Sequence, residues 1–271
     1  MDLQIPGGWH QNEGMKTYGQ YCPIARASEV FAERWTPIVL RNLLAGCRTF
    51  SELRDGALGI SKTLLKQRLK LLEQFGIVER RPRLEGRGFH YHLTPRGKDL
   101  QSVCNALGTW GARWLEIRPE HIEPGYVLWA TSKLVDTEKL PHTRVIVRVD
   151  LRDQPRRKFW LILQRQQPEV CTSYPGTAED LILTADSQTL INWHYRRISF
   201  GEALKQGLII LDGSPRFVRA FPSWVRASPF AHIAPQAPVR PGRVAKLPQG
   251  GNGRHEGMAR RSARASSSVS G

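Results

Sequence analysis

The sequence predicts two unlike domains in tandem, a mainly α winged helix-turn-helix domain and then an α+β domain. Three observations carry this. Between Tyr21 and Glu116 short amphipathic segments are punctuated by glycines and caps, and the helical period is interrupted once by a basic hairpin. From about residue 125 several extended runs precede a set of helices, the order expected of a sheet covered on one side. Charge divides the chain as well. Residues 1–118 carry 18 Lys+Arg against 11 Asp+Glu, residues 119–232 carry 15 against 12, and residues 233–271 carry 7 against 1, so a nearly neutral middle has two basic flanks that attract polyanions.

Residues 1–18, with Pro6, Gly7, Gly8 and Gly14, read as a flexible arm, and the first domain spans 19–116. IARASEVFAERW is its first helical stretch. In TPIVLRNLLAG, Thr36 is expected to cap, Pro37 to take the first helical position and Gly46 to stop the helix. TFSELRDGAL gives a short helix, and ISKTLLKQRLKLLE, from Ile60, a longer one. Projected as a helix, Leu64, Leu65, Leu69, Leu71, Leu72 and Phe75 form an arc that must be buried. Opposite them Thr63, Lys66, Gln67 and Lys70 follow i, i+3, i+4, i+7 spacing with no acid among them, and Ser61 is the N-cap. Lysine reaches phosphates or guanine edges, and Gln and Thr bond base edges. A merely solvated helix face has the same pattern, so its neighbours must decide.

After Gly76 the period becomes extended in IVERRPR and FHYHLT, joined by the turn LEGRG. This hairpin carries Arg80 and Arg81 on its approach strand and Arg83 and Arg87 at its tip, and Pro82 marks an edge strand. Such guanidinium groups can lie along a phosphate backbone. A helix followed directly by a basic hairpin is a winged helix, which makes double-stranded DNA the expected partner. Thr94, with Pro95 behind it, then caps a long helix in which Leu100, Val103, Leu107, Trp110 and Trp114 recur. That stripe packs either on its own domain or on the same helix of a second copy. The second use is preferred, because two-fold symmetry suits a pseudo-palindrome.

Cys22-Pro23, RWTPIVLRNLLAG, RTFSELRDGALGISKTLLKQRLKLLEQFGIVER, YHLTPRGKDL and Trp110-Gly111 together resemble the winged-helix domain of the HxlR-type transcriptional regulators, over about residues 21–116. The resemblance implies a homodimeric bacterial transcription factor with the helix of residues 61–75 in the major groove and the wing on flanking backbone. It also implies a possible oxidant-sensing role for Cys22, against the plainer reading of a half-buried thiol beside a helix start.

Residues 117–124, IRPEHIEP, read as a linker to a domain over 125–232. Its extended runs are TRVIVRVDL, RRKFWLILQR, EVCTSYP and DLILTAD; helical stretches follow, with Ser199 and Glu202 forming a capping box, then the strand LIILDG and a last helix. FWLILQRQQPEVCTSYPGTAEDLILTADSQTL and SFGEALKQGLIILDG resemble the sterol-carrier-protein fold. That resemblance implies a tunnel for a hydrophobic small-molecule effector, which Trp160, Leu181, Leu183, Leu190 and Trp193 would line or, as ordinary core, simply fill. Residues 233–271 are proline-, glycine- and serine-rich and read as a basic disordered tail, either a sequence-blind aid to DNA binding or a solubilising extension.

Enzyme chemistry finds no foothold. H-E-x-x-H, G-x-S-x-G and the phosphate-binding loop are missing from the sequence, GISKT lacks the required glycine spacing, and His90 and His92 share a strand face without a third metal ligand. No catalytic residue, metal or cofactor is expected. Scattered Cys22, Cys47, Cys104 and Cys171 suggest neither zinc nor disulfides. Without an apolar run of about 20 residues or a signal pattern, a cytoplasmic protein without a membrane partner is expected. The competing class is a lipid-binding or carrier protein whose N-terminal domain mainly dimerises.

Overall fold

A computed structural model of the chain describes residues 17–84 and 86–236. Most of the expected arm and tail therefore lies outside the described residues. At the boundaries, the Thr17 hydroxyl and the Tyr18 N–H donate to Glu29, and the Gln236 N–H donates to the Arg113 carbonyl at 2.7 Å.

The first module contains α1 (Pro23–Phe31), α2 (Thr36–Leu44), α3 (Phe50–Asp55), α4 (Lys62–Gln74), the hairpin β1 (Val78–Pro82) and β2 (Phe89–Leu93), and α5 (Pro95–Trp114). Local chemistry explains most of its boundaries. Thr49 and Glu52 form a reciprocal capping box on α3, the Ser61 hydroxyl accepts from the Leu64 N–H, and the Thr94 hydroxyl accepts from the Gly97 N–H. Gly76 closes α4 at φ +63°, a conformation that favours glycine. One boundary corrects the sequence reading. Thr36 is not the cap of α2 but its first residue; Trp35, held at φ 78°, precedes it, and the buried Thr36 hydroxyl has no partner among the described residues. Leu65, Leu69 and Leu72 are buried with Val39, Leu40 and Leu53 in one apolar core. Each buried leucine contributes about 1.5–3 kcal/mol, enough to fix which side of α4 faces out.

The second module contains α6 (Pro124–Lys133), β3 (Val145–Leu151), β4 (Lys158–Leu163), β5 (Glu169–Cys171), β6 (Leu181–Ala185), α7 (Ser187–His194), α8 (Phe200–Lys205), β7 (Ile209–Gly213) and α9 (Pro215–Trp224). The strand order is β5-β4-β3-β6-β7; β3 and β6 run parallel and the other neighbours antiparallel. Alternation along β4 sends Phe159, Leu161 and Leu163 into a core shared with Leu181, Leu183, Leu190 and Trp193. Trp160 points to the other face. There its indole N–H donates to Glu179 at 3.2 Å and its ring meets Tyr174 edge-on, so the five residues expected to line one space do not gather. The expected capping box on α8 is half made. Ser199 accepts from the Glu202 N–H, while the Glu202 carboxylate accepts from Gln206.

Residues 117–124 are more than a connector. A 3-10 turn occupies Pro119–His121, Ile117 and Ile122 pack against the second core, and Glu123 caps α6. From α6, Trp129 reaches the first core and stacks on Tyr126. Arg41 of α2 lies over both rings, donating to the Tyr126 hydroxyl at 2.9 Å and to the Gly56 carbonyl at 2.5 Å. Gly56 is required by space, since a Cβ there would meet the Trp129 ring at 2.3 Å. The two cores thus share one junction at the end of α3.

Candidate nucleic-acid interface

Burial of the leucines leaves Thr63, Lys66, Gln67 and Lys70 exposed together on α4, with Ser61 exposed at its start. Ser61 is committed to its cap at 3.1 Å. Beside the buried leucines Arg68 is tied to the connection between α1 and α2, donating to the Arg34 carbonyl and to Glu33 at 3.0 and 2.8 Å. Those bonds remove Arg68 from the outward strip and brace α4 against the turn between α1 and α2.

The wing stands beside this strip. β1 and β2 pair antiparallel with Arg80 opposite Tyr91 and Arg81 opposite His90, so the two arginines occupy opposite faces. Arg80 faces α4. Its guanidinium sits 4.3 Å over the Phe89 ring, and its Nε lies 3.9 Å from Glu73. Arg81 faces the rear and is paired with Glu79. Arg83 and Arg87 are exposed near the turn, with no ion-pair partner among the described residues. The turn itself depends on Gly86 and Gly88, at φ +78° and +113°. The pleat of the hairpin thus separates Arg80 from Arg81, which the sequence places together on the approach strand.

Two further features frame the site. Along α5, Leu100 and Cys104 pack on the first core, whereas Val103, Leu107, Trp110 and Trp114 are exposed, Trp110 by 55%. Tyr21 and Ile24 at the start of α1 are also exposed. Cys22 stands at the N-cap of α1, half-buried, and its side chain makes no cap hydrogen bond. By contrast burial pushes the Cys47 thiol up to about 11, the behaviour of a core residue. Among the described residues no helix is long and apolar enough to cross a membrane, and no group of His, Cys, Asp or Glu has the makings of a metal site.

The comparisons with known proteins reach the first module. The family model described as HxlR-like helix-turn-helix matches residues 30–119, ending before the second module. An uncharacterised HTH-type transcriptional regulator of Synechocystis sp., sll1512, is 36% identical over 104 residues, which cover 36% of this chain and 73% of the relative. A second such regulator, from Mycobacterium tuberculosis, is 38% identical over 98 residues, and there the chain spans 61% of the relative's length. The reduced form of the transcriptional regulator YodB from B. subtilis is 31% identical; 36% of this chain covers 97% of it, at a TM-score of 0.32. The relatives from Synechocystis and Mycobacterium tuberculosis are both HTH-type transcriptional regulators. The chain belongs to the HxlR-like helix-turn-helix family.

Proposed function

We propose that the chain is a transcription regulator that binds double-stranded DNA as a homodimer in the cytoplasm and reads a pseudo-palindromic operator. The observation that carries this reading is the outward strip of Thr63, Lys66, Gln67 and Lys70 on a helix locked from beneath by leucines. In the major groove Gln67 and Thr63 meet base edges, Lys66 and Lys70 meet guanine edges or phosphates, and Ser61 keeps the helix start at the backbone. Arg83 and Arg87 take flanking phosphates. Arg80 and Arg81 join them by exchanging exposed carboxylate partners, pairs worth only about 0–1 kcal/mol.

The exposed Val103, Leu107, Trp110 and Trp114 of α5 form the dimer surface, since a contiguous apolar strip left in water marks an interface. The second module, a sterol-carrier-like fold in this proposal, senses a hydrophobic small molecule. In its support, the buried Trp193 indole N–H has no acceptor among the described residues, and a ligand oxygen reaching that aromatic core would satisfy it. The junction at Arg41 and Gly56 would carry the change to α3 and α4, provided the ligand favours one dimer geometry. Cys22 is the candidate oxidant sensor, and the basic residues 237–271 add sequence-blind attraction to DNA.

The test is binding to the region upstream of the protein's own gene, against random duplex. Gln67→Ala is expected to cost ~1–3 kcal/mol on the specific site and little on random DNA, with an unchanged melting midpoint. Equal losses on both would remove base reading by α4.

A further inference from the structure

The rear of the wing, turned away from α4, is a second polar site. There Glu79 pairs with His92 and Arg81 with His90 across the strands, putting all four side chains on the face opposite Arg80 and Phe89. The segment before α3 adds itself to the edge of β2. The Tyr91 N–H donates to the Arg48 carbonyl at 2.7 Å, and Thr49 bridges to His90. Between this sheet, the end of α2 and the first turns of α5 lies an open hollow of about 450 Å³ lined by Arg48, Arg81, His92, Lys98 and Gln101, with Leu43, Leu44 and Leu93 as its apolar wall. A further hollow of about 730 Å³ shares Arg81 and His92 and runs along the wing to Arg83 and His90.

The balance of groups identifies the ligand chemistry. Arg48, Arg81 and Lys98 are cationic, and the one carboxylate in the lining, Glu79, is already engaged by Arg81. One guanidinium nitrogen of Arg48 is anchored on the Leu43 and Cys47 carbonyls at 2.8 and 2.9 Å, which fixes the group in place. Among the described residues the side chains of Lys98, Gln101 and His92 have no hydrogen-bond or ion-pair partner. A concave site with one sign of charge against apolar walls focuses its field on whatever enters it. We infer that this trough behind the wing binds a phosphate-type oxyanion, held by Lys98, Arg81 and Arg48 with Gln101 and His92 as hydrogen-bond donors. The oxyanion comes either from a free phosphate-bearing solute or from a backbone phosphodiester of bound DNA.

The histidine supplies a readout. Burial first, then Arg48 and Arg81, with smaller opposing and aiding effects from Glu79 and His90, hold His92 below the ordinary histidine value. Lys98 on α5 completes the charged groups around the hollow. An oxyanion seated there offsets those cations and raises the His92 titration midpoint, so it binds more tightly as pH falls.

The experiment titrates the full chain with inorganic phosphate, against chloride at matched ionic strength, while following the His92 ring protons by NMR. Saturable, phosphate-specific shifts and a raised His92 midpoint are expected, with Lys98→Gln weakening binding about three- to fivefold, as suits an exposed charge. Arg81→Gln is the second variant and should act in the same direction. A response that chloride reproduces, or that both variants leave intact, overturns the site. DNA binding separates the two sources. If Lys98→Gln lowers the salt slope by about one unit and phosphate competes with duplex, the backbone supplies the oxyanion. If DNA affinity and slope are unchanged, the ligand is a free solute. Gln67→Ala should leave the phosphate titration untouched, so this inference and the groove reading of α4 fail independently.

Discussion

The two modules use their apolar residues in opposite ways. In the first, a small core of short helices fixes what faces out: the polar strip of α4, the arginines of the wing and the aromatic strip of α5. In the second, the inner face of a five-stranded sheet and helices α7 to α9 turn their large side chains inward, and Trp193, Phe200, Phe221 and Trp224 meet in one aromatic cluster. The difference teaches where function should be sought. Substitutions on the first module should change binding at constant stability, and those in the second should change stability first.

The sharpest way to break that division is at the junction, where one residue serves both modules. Gly56→Ala forces a Cβ against the Trp129 ring and the Asn42 amide, at 2.3 and 2.6 Å in the present geometry. A loss of about 1–3 kcal/mol is expected from such overpacking, with DNA affinity falling as α3 shifts. Thermal melts together with operator binding check it; an unchanged midpoint would mean that α6 yields freely and the modules are uncoupled.

The second module should respond to acid. Burial first, and Arg196 second, bring His194 down to about 4, and its ring lies 3.3 Å from the Thr131 hydroxyl. The unfolded chain holds an ordinary histidine near pKa 6.5. As pH falls from about 6.5 to about 4, the unfolded state takes up a proton that the folded state refuses, and stability drops by at most ~3 kcal/mol. Urea unfolding across this window should show the drop in the parent and a flatter profile in His194→Gln.

The smallest expected effect belongs to the wing tip. Arg87→Ala should leave the melting midpoint within about 0.5 kcal/mol while reducing the salt slope of DNA binding by about one unit. An unchanged slope would take Arg87 off the backbone.

The legible part of the sequence was the part governed by local rules. The caps at Ser61 and Thr94, the line of Leu65, Leu69 and Leu72 beneath the polar strip of α4 and the hairpin alternation each depend on residues within a few positions of one another, and the structure has them as expected, whereas Leu64, Leu71 and Phe75 at the edge of the expected arc are only half-buried. The missed parts depend on distant partners. PGYVLWATSK, which forms α6, carries no single apolar stripe because its apolar residues serve two cores at once. For Trp160 the period of two in KFWLIL does separate it from Phe159 and Leu161 in the sequence. The hollow behind the wing was not readable, because Arg48 and Lys98 come from segments flanking the hairpin at long range.

The Arg41 wedge also says where the chain can be divided. A fragment ending near residue 116, the boundary that sequence reading suggests, would strip the Tyr126 and Trp129 rings from that guanidinium and open the surface they cover. The smallest self-sufficient DNA reader from this chain must therefore borrow α6 from its neighbour, or have Arg41 and Gly56 redesigned for life in water.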